Sequence, residues 1–309
     1  MAAPRPRIGL DLPLRFAAGT SPGAIATWLG GIDASAVDSV WTLDQLSGRV
    51  PTPEPVGLLG FAAAHTTRVR LGIALLVAPG RNPITAAKEL STLDRLSGGG
   101  RLVVGVGTGD RRLLPAMRLG DWTDRPGAVL DEFLTVLRRL WTEDDVAHDG
   151  PIWQLAGVTA CPRPDAPPPL WVGGASVAAL RRAVRLGSGW VAAGRQTTAR
   201  FAELAARLDE VAEREGSTRD SLAVAKRVYL LIDERRSRAE RTIDAWFTGF
   251  YGRPDLGRQA TVHGDVAACA EQLAELARLG VTDLILHPLD ESPEHEAAVL
   301  GDLLPALTR

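Results

Sequence analysis

Cysteine is nearly absent. Cys161 and Cys269 are the only two in 309 residues, and neither has a histidine or a second cysteine at metal-ligand spacing. A disulfide framework is therefore excluded, and no HxH, HExxH or carboxylate–histidine cluster indicates a metal. Charge of one sign is missing too. Thirty-five Lys and Arg stand against 37 Asp and Glu, a net charge of −2, so no basic field points to nucleic acid or an anionic membrane. No apolar run approaches the ~18–20 residues needed to span a bilayer. The opening MAAPRPRIGL lacks the basic-then-apolar order of a secretory signal, and no G-x-S-x-G elbow marks a serine hydrolase. What remains, 45% hydrophobic and 23% charged, is the profile of a cytoplasmic, enzyme-sized chain with a sizeable core. Its length suits one large domain or two ordinary ones.

Two periodicities alternate along it. Short aliphatic runs occur at Arg7–Pro13, Ser39–Leu43, Arg68–Val77, Arg101–Gly107, Pro169–Gly174, Gly189–Gly194, Leu222–Ile232 and Thr282–Pro288. Each is continuous and bounded by Gly, Pro or Asp, as buried parallel strands are. Between them lie helical stripes. Phe201, Leu204, Leu208 and Val211 form one, and Phe133, Val136, Leu137, Leu140 and Trp141 another. Thr85–Leu96 and Val266–Leu279 read the same way, the second stopped by Gly280. Eight strand–helix units predict a single-domain (β/α)8 TIM barrel over residues 1–309, with a doubly wound open sheet as the alternative. Two stretches interrupt the alternation and read as irregular insertions: 142–169, where prolines forbid regular structure, and 251–265, polar with glycine. Both are candidate lids, with Trp153, Trp246 and Phe250 as candidate pocket walls, core or dimer contacts.

Gly105-Val106-Gly107-Thr108-Gly109-Asp110 fails the dinucleotide template G-x-G-x-x-G, because its last position is Asp110 or, one register on, Arg112. It reads better as a strand whose glycines let a flat ligand lie against the backbone. Trp171-Val172-Gly173-Gly174-Ala175-Ser176 is a strand, two glycines and a hydroxyl opening a helix. That is either an anion site on free backbone N–H groups or an ordinary turn with Ser176 as N-cap. Asp11, Asp44, Gln45, Asp110 and His287 all fall at or near C-terminal strand ends, the face on which barrel active sites are built. Each has a capping role as its alternative. His65 reads as structural, and nothing beside His148 or His263 argues for chemistry.

Thr66–Asp110, TTRVRLGIALLVAPGRNPITAAKELSTLDRLSGGGRLVVGVGTGD, resembles the signature block of the bacterial luciferase-like family of flavin- or deazaflavin-dependent oxidoreductases. SVWTLDQL (Ser39–Leu46), RPGAVLDEFLTVLRRLW (Arg125–Trp141) and PPPLWVGGASVAALRRAVRLGSGWV (Pro167–Val191) extend the likeness over nearly the whole chain. The resemblance implies a TIM barrel, usually homodimeric, holding reduced FMN or coenzyme F420 at its C-terminal face. It places Gly173, Gly174, Ser176 and Val177 at the coenzyme's phosphate-bearing tail. A cis Ala74–Leu75 peptide is expected against the ring, and Asp44, Gly107 and Thr108 complete the cofactor-binding set. Departures are visible as well. The family's sugar-phosphate dehydrogenases carry Asp-His where this chain has Asp44-Gln45. Asp110 stands for the common Glu, Leu113 for an asparagine, and Asn82-Pro83 for His-Pro.

The leading expectation is hydride transfer between coenzyme F420 and a small organic molecule. Asp110 would manage the proton, with Arg111 or Arg112 balancing charge, while Gln45 and His287 line the substrate side. The alternatives are an FMN-dependent monooxygenase served by a separate flavin reductase, and a non-catalytic flavin-binding barrel.

Overall fold

Runs that bury both faces need helices outside them and packed side chains within, and a closed parallel barrel supplies both. The computed structural model describes residues 5–14 and 19–308; the start of the opening segment, Met1–Pro4, lies outside the described residues. Eight strands follow one another around the barrel: β1 (Arg7–Asp11), β2 (Ser39–Thr42), β3 (Arg70–Val77), β4 (Leu102–Gly107), β7 (Leu170–Gly173), β8 (Gly189–Ala192), β9 (Ala223–Ile232) and β11 (Asp283–Pro288). All pairings are parallel, and β11 closes on β1 through Ile8↔Leu284 and Leu10↔Leu286. All eight expected strands are present.

Helices α1 (Pro22–Ala34), α2 (Pro55–Ala64), α3 (Pro83–Leu96), α4 (Pro126–Thr142), α5 (Val177–Leu186) and α6 (Thr198–Arg214) each link a strand to the next in the barrel. Their starts follow capping chemistry. The side chains of Ser21, Asn82, Ser176 and Thr197 accept from backbone N–H groups of the first turn, and proline opens α1 to α4. The β9–β11 crossover is longer, through α7 (Arg236–Tyr251), α8 (Gly257–Ala260), β10 (Thr261–Gly264) and α9 (Val266–Arg278). α10 (Pro293–Ala298) and α11 (Leu304–Thr308) end the chain.

The two insertions are more regular than their composition suggests. Within 142–169, β5 (Val146–Asp149) and β6 (Gln154–Val158) form an antiparallel hairpin. Its prolines break no ladder, because Pro151 lies in the turn and Pro162 to Pro169 follow the second strand. Within 251–265, β10 pairs with the far half of β9, Thr261↔Tyr229 to Gly264↔Ile232. His148 and His263 are thus strand residues, not loop residues.

The barrel interior has a distinct small core. Trp41 and Trp171 stack with centroids 5.4 Å apart, surrounded by Ala74, Val103, Val191, Ala225 and Ile285. Below them Asp283 accepts from Arg7 Nε at 2.8 Å and Arg70 Nη2 at 2.5 Å, tying β11 to β1 and β3 at the N-terminal end. The stacked indoles and this ionic knot fill the N-terminal end of the barrel.

Candidate active site

The mouth is shaped first by a break in β3. The Ala74–Leu75 peptide is cis, as expected, and the pairing with β4 shifts register between Ile73 and Leu76. The extra residue turns Leu75 inward, against Gly105, Gly107 and Gly173. A Cβ on Gly107 would stand 2.8 Å from Leu75 Cδ1 and one on Gly105 2.9 Å from Leu75 Cδ2, while one on Gly173 would overlap Leu75 outright. The glycines therefore make room for Leu75, and a flat ligand would meet the half-buried Leu75 rather than bare glycine backbone. This corrects the reading of the G-x-G-x-G strand.

The second feature is the β7–α5 turn. Gly174 has φ +139°, a conformation L side chains rarely adopt, and its carbonyl accepts from Trp190 Nε1 at 2.8 Å. Ser176 caps α5, its hydroxyl accepting from Ala179 N–H at 3.2 Å. Of the two readings of this segment the structure shows the N-cap, Ser176; Gly174 through Val177 lie exposed around the N-terminal pole of a ten-residue helix. Such a pole favours an anion.

The third is a buried polar cluster that joins residues far apart in the chain. Asp11 Oδ2 accepts from Arg227 Nε at 2.6 Å and lies 2.8 Å from His287 Nδ1; Arg227 Nη2 is 3.0 Å from the same nitrogen. Arg227 can only donate and Asp11 only accept, and the shorter contact, 2.8 Å to the ionised carboxylate, decides between them: Nδ1 carries the hydrogen and Nε2 keeps its lone pair. Burial raises the Asp11 carboxyl, but Arg227 and His287 outweigh it and hold it below the usual carboxylate range. Burial and then Arg227 push His287 below the ordinary imidazole value, so the ring is neutral. Among the described residues, His287 Nε2 has no hydrogen-bond partner. A neutral imidazole oriented by a carboxylate, with a free basic nitrogen, is equipped to take a proton.

Aromatic side chains enclose the cluster. Tyr229 lies edge-on to His287 at 5.4 Å, Arg227 sits 5.5 Å over the Tyr229 ring, and the Tyr229 and Tyr251 hydroxyls are hydrogen-bonded. Trp246 touches His287 at 5.2 Å and stacks on Phe250 at 4.8 Å. Beyond Trp246 opens a cavity of about 620 Å³ between the first strand's end, the β2–α2 loop, α7 and the β11–α10 loop. Trp153, by contrast, packs on Phe133 in the outer core.

The remaining expected site residues divide by role. Asp44 accepts from Val77 N–H at 2.9 Å and pairs with Arg81 at 3.1 Å, so its carboxylate pins the end of β3. Gln45 lies beside it with Oε1 buried and without a partner among the described residues. Asp110 is exposed; it caps the turn that follows β4 and pairs with Arg112 at 2.5 Å. That hydrogen bond lowers its carboxyl, and a carboxylate held ionised this way is a poor proton carrier. Thr108 is half-buried between β4 and this turn. Arg227 and Tyr229 were missed in the sequence. Their signal was present: of the two charges inside this apolar strand, Lys226 and Arg227, the second stands two positions from Tyr229, which puts both on one face. Lys226 faces the other way and donates to the Ala193 and Arg227 carbonyls at 2.8 and 2.9 Å.

A closed parallel barrel ringed by helices, with an inward bulge in β3 and a buried Asp11–His287–Arg227 cluster, defines a TIM-barrel protein. The comparisons narrow the class. Residues 12–283 match the model of the luciferase-like monooxygenase family, and the chain belongs to that family. It is 27% identical over 285 residues to an F420-dependent glucose-6-phosphate dehydrogenase of Intrasporangium calvum, covering 82% of this chain and 84% of that protein. It is 31% identical over 261 residues to an uncharacterised protein of Mycobacterium tuberculosis, covering 83% and 77%. The fold is shared with an F420-dependent secondary alcohol dehydrogenase solved with an F420–acetone adduct (TM-score 0.84, 16% identity, 98% and 99% covered). It is shared also with the monooxygenase RslO1 of Streptomyces bottropensis (TM-score 0.79, 22% identity, 97% and 99% covered).

Proposed function

We propose that this protein is an oxidoreductase that exchanges a hydride between coenzyme F420 and a small organic substrate at the C-terminal face of the barrel. The observation that carries the reading is His287: a buried neutral base, fixed by Asp11, whose buried Nε2 has no hydrogen-bond partner among the described residues. The coenzyme is supported by the names of relatives about as long as this chain and by the fit of the residues present. The half-buried Leu75 side chain at the bulge offers an apolar backing for a ring. Gly173, Gly174, Ser176 and Val177 offer the helix pole for an anionic tail. Coenzyme F420 supplies a ring carbon that gives or accepts hydride without oxygen activation.

This chain's own residues do the rest. Asp11 holds His287 in the tautomer that leaves Nε2 basic, and Arg227 keeps Asp11 ionised. In the oxidative direction Nε2 takes the substrate's hydroxyl proton; in the reductive direction the same nitrogen, first protonated from solvent, donates that proton to the substrate oxygen. Asp44 and Arg81 hold the end of β3, and so the bulge, in register. Gln45 lines the substrate side. The proton role assigned to Asp110 from the sequence passes to His287, because Asp110 is exposed and held ionised.

Equilibrium titration tests the coenzyme. Micromolar protein should quench the fluorescence of coenzyme F420 and leave FMN unbound at the same concentrations. Binding of FMN alone would transfer the protein to the flavin monooxygenases, and binding of neither would make it a non-catalytic barrel.

A further inference from the structure

We propose that Lys226 is a positioning residue for the proton-accepting cluster: it clamps the β8–α6 loop onto the Tyr229 ring and so keeps His287 shut off from water, an inference that rests on the role given to His287 above. Lys226 is 2% exposed, on the side of β9 that carries Val224, Val228 and Leu230. No carboxylate pairs with it among the described residues. Its N–H groups donate instead to the carbonyls of Ala193 at 2.8 Å, Arg227 at 2.9 Å and Gly194 at 3.5 Å. An ammonium without a counter-charge is costly in an apolar layer, where another aliphatic residue would pack at no such cost. Burial and then Arg227 pull the amine down to about 7. Charged or neutral, it keeps a donor for each of the two nearer carbonyls. What the lysine does that an aliphatic side chain cannot is tie two segments together.

Those segments bear on the base from two directions. One is the backbone of Arg227, whose side chain holds Asp11. The other is the β8–α6 loop, residues 193–197. There the backbone of Gly194 lies directly on Tyr229: a Cβ would stand 2.8 Å from Tyr229 Cε2 and 3.0 Å from Cζ. Tyr229 is wholly buried, with Trp246 and Phe247 of α7 at 4.9 and 5.1 Å from its ring and His287 edge-on at 5.4 Å. The loop is thus one wall around Tyr229, and Tyr229 is one wall around His287. Burial is the largest cause that holds His287 neutral; Arg227 adds to it, while Asp11 and Glu291 act the other way. A loop lifted from Tyr229 therefore admits water to the imidazole and returns it toward its ordinary value.

The test is an NMR pH titration of the full chain with labelled histidine, the His287 signal being assigned by its loss in His287→Asn. Wild type, Lys226→Met and Gly194→Ala are compared. Methionine keeps the length of lysine and suits the apolar layer, but it cannot donate to Ala193 or Arg227. Gly194→Ala presses the loop off Tyr229 and leaves every charge in place. In the wild type His287 should titrate below about 6.5. In both variants the midpoint should rise by at least about half a pH unit. A rise shared by the charge-neutral variant reports water at the ring and not the loss of a cation. An unchanged midpoint in Gly194→Ala, or in a folded Lys226→Met, overturns the inference. Fluorescence titration with coenzyme F420 accompanies each protein, and its affinity should stay within about twofold, because neither substitution touches Leu75 or the α5 pole. A matching loss of coenzyme affinity in both variants would make the clamp a general structural support and overturn the specific role. No quenching by the wild type overturns the hydride-transfer reading alone, and the His287 midpoints then judge Lys226 by themselves.

Discussion

His287, Asp11 and Arg227 lie 60 to 276 positions apart in sequence and within hydrogen-bonding distance in space. At this scale the account makes two predictions. His287→Asn keeps a donor for Asp11 but has no basic nitrogen, so kcat should fall about 100-fold while coenzyme affinity holds. Steady-state kinetics beside a coenzyme titration separates the two; an unchanged kcat would remove His287 from the proton path. The second concerns pH. The folded state holds His287 below its ordinary value of about 6.5, whereas the unfolded chain titrates there. Below that pH the unfolded state binds a proton the folded state refuses, so stability present above about 6.5 is lost as pH falls. Melting temperatures between pH 7.5 and 5.5 should drop more steeply for the wild type than for His287→Asn. Parallel curves would show that His287 charges freely in the folded protein. In the sequence, Asp11 and His287 were visible as strand-end residues, but their union was not, because barrel closure brings the first and last strands together only in three dimensions.

The elements that shape the mouth are a bulged strand and a helix pole. Gly105 and Gly173 both face the bulge, yet they are not equivalent. A Cβ at Gly173 would meet the tip of Leu75, which can swing, whereas one at Gly105 would also stand 2.5 Å from the Ile73 carbonyl oxygen, which cannot. Gly105→Ala should therefore cost about 1–3 kcal/mol in urea unfolding and Gly173→Ala clearly less. The reverse order would mean that the wall is built differently. The strands were legible because buried β-branched runs have few other readings, and α5 because its cap and stripe agree. The β5–β6 hairpin was not, since six nearby prolines masked four- and five-residue strands whose pairing depends on partners rather than propensity. β10 was hidden for the same reason: four residues, Thr261–Gly264, carry too little pattern without β9 beside them.

For the whole molecule, closure decides what the site contains. The long β9 pairs with β8 by its first residues, with β11 along its middle and with β10 at its end, so it delivers Arg227 and Tyr229 to the mouth while locking the ring. At the opposite end Asp283 holds β11 to β1 and β3 through Arg7 and Arg70. Asp283→Ala should cost about 2 kcal/mol, less than a fully buried pair because Arg7 is half-exposed, and should lower kcat little. Denaturation beside kinetics checks this, and a large kcat loss at full stability would contradict it. The central claim, that the mouth holds an anionic deazaflavin with its tail at α5, is met most directly by Ser176→Asp. Aspartate caps a helix as well as serine and suits its dipole, so the fold is kept while a negative charge is set at the pole. Fluorescence titration with coenzyme F420 should show quenching by the wild type and affinity weakened at least about tenfold in Ser176→Asp, with an undiminished melting temperature. Equal affinity in the two proteins, or no quenching by the wild type, would contradict the account.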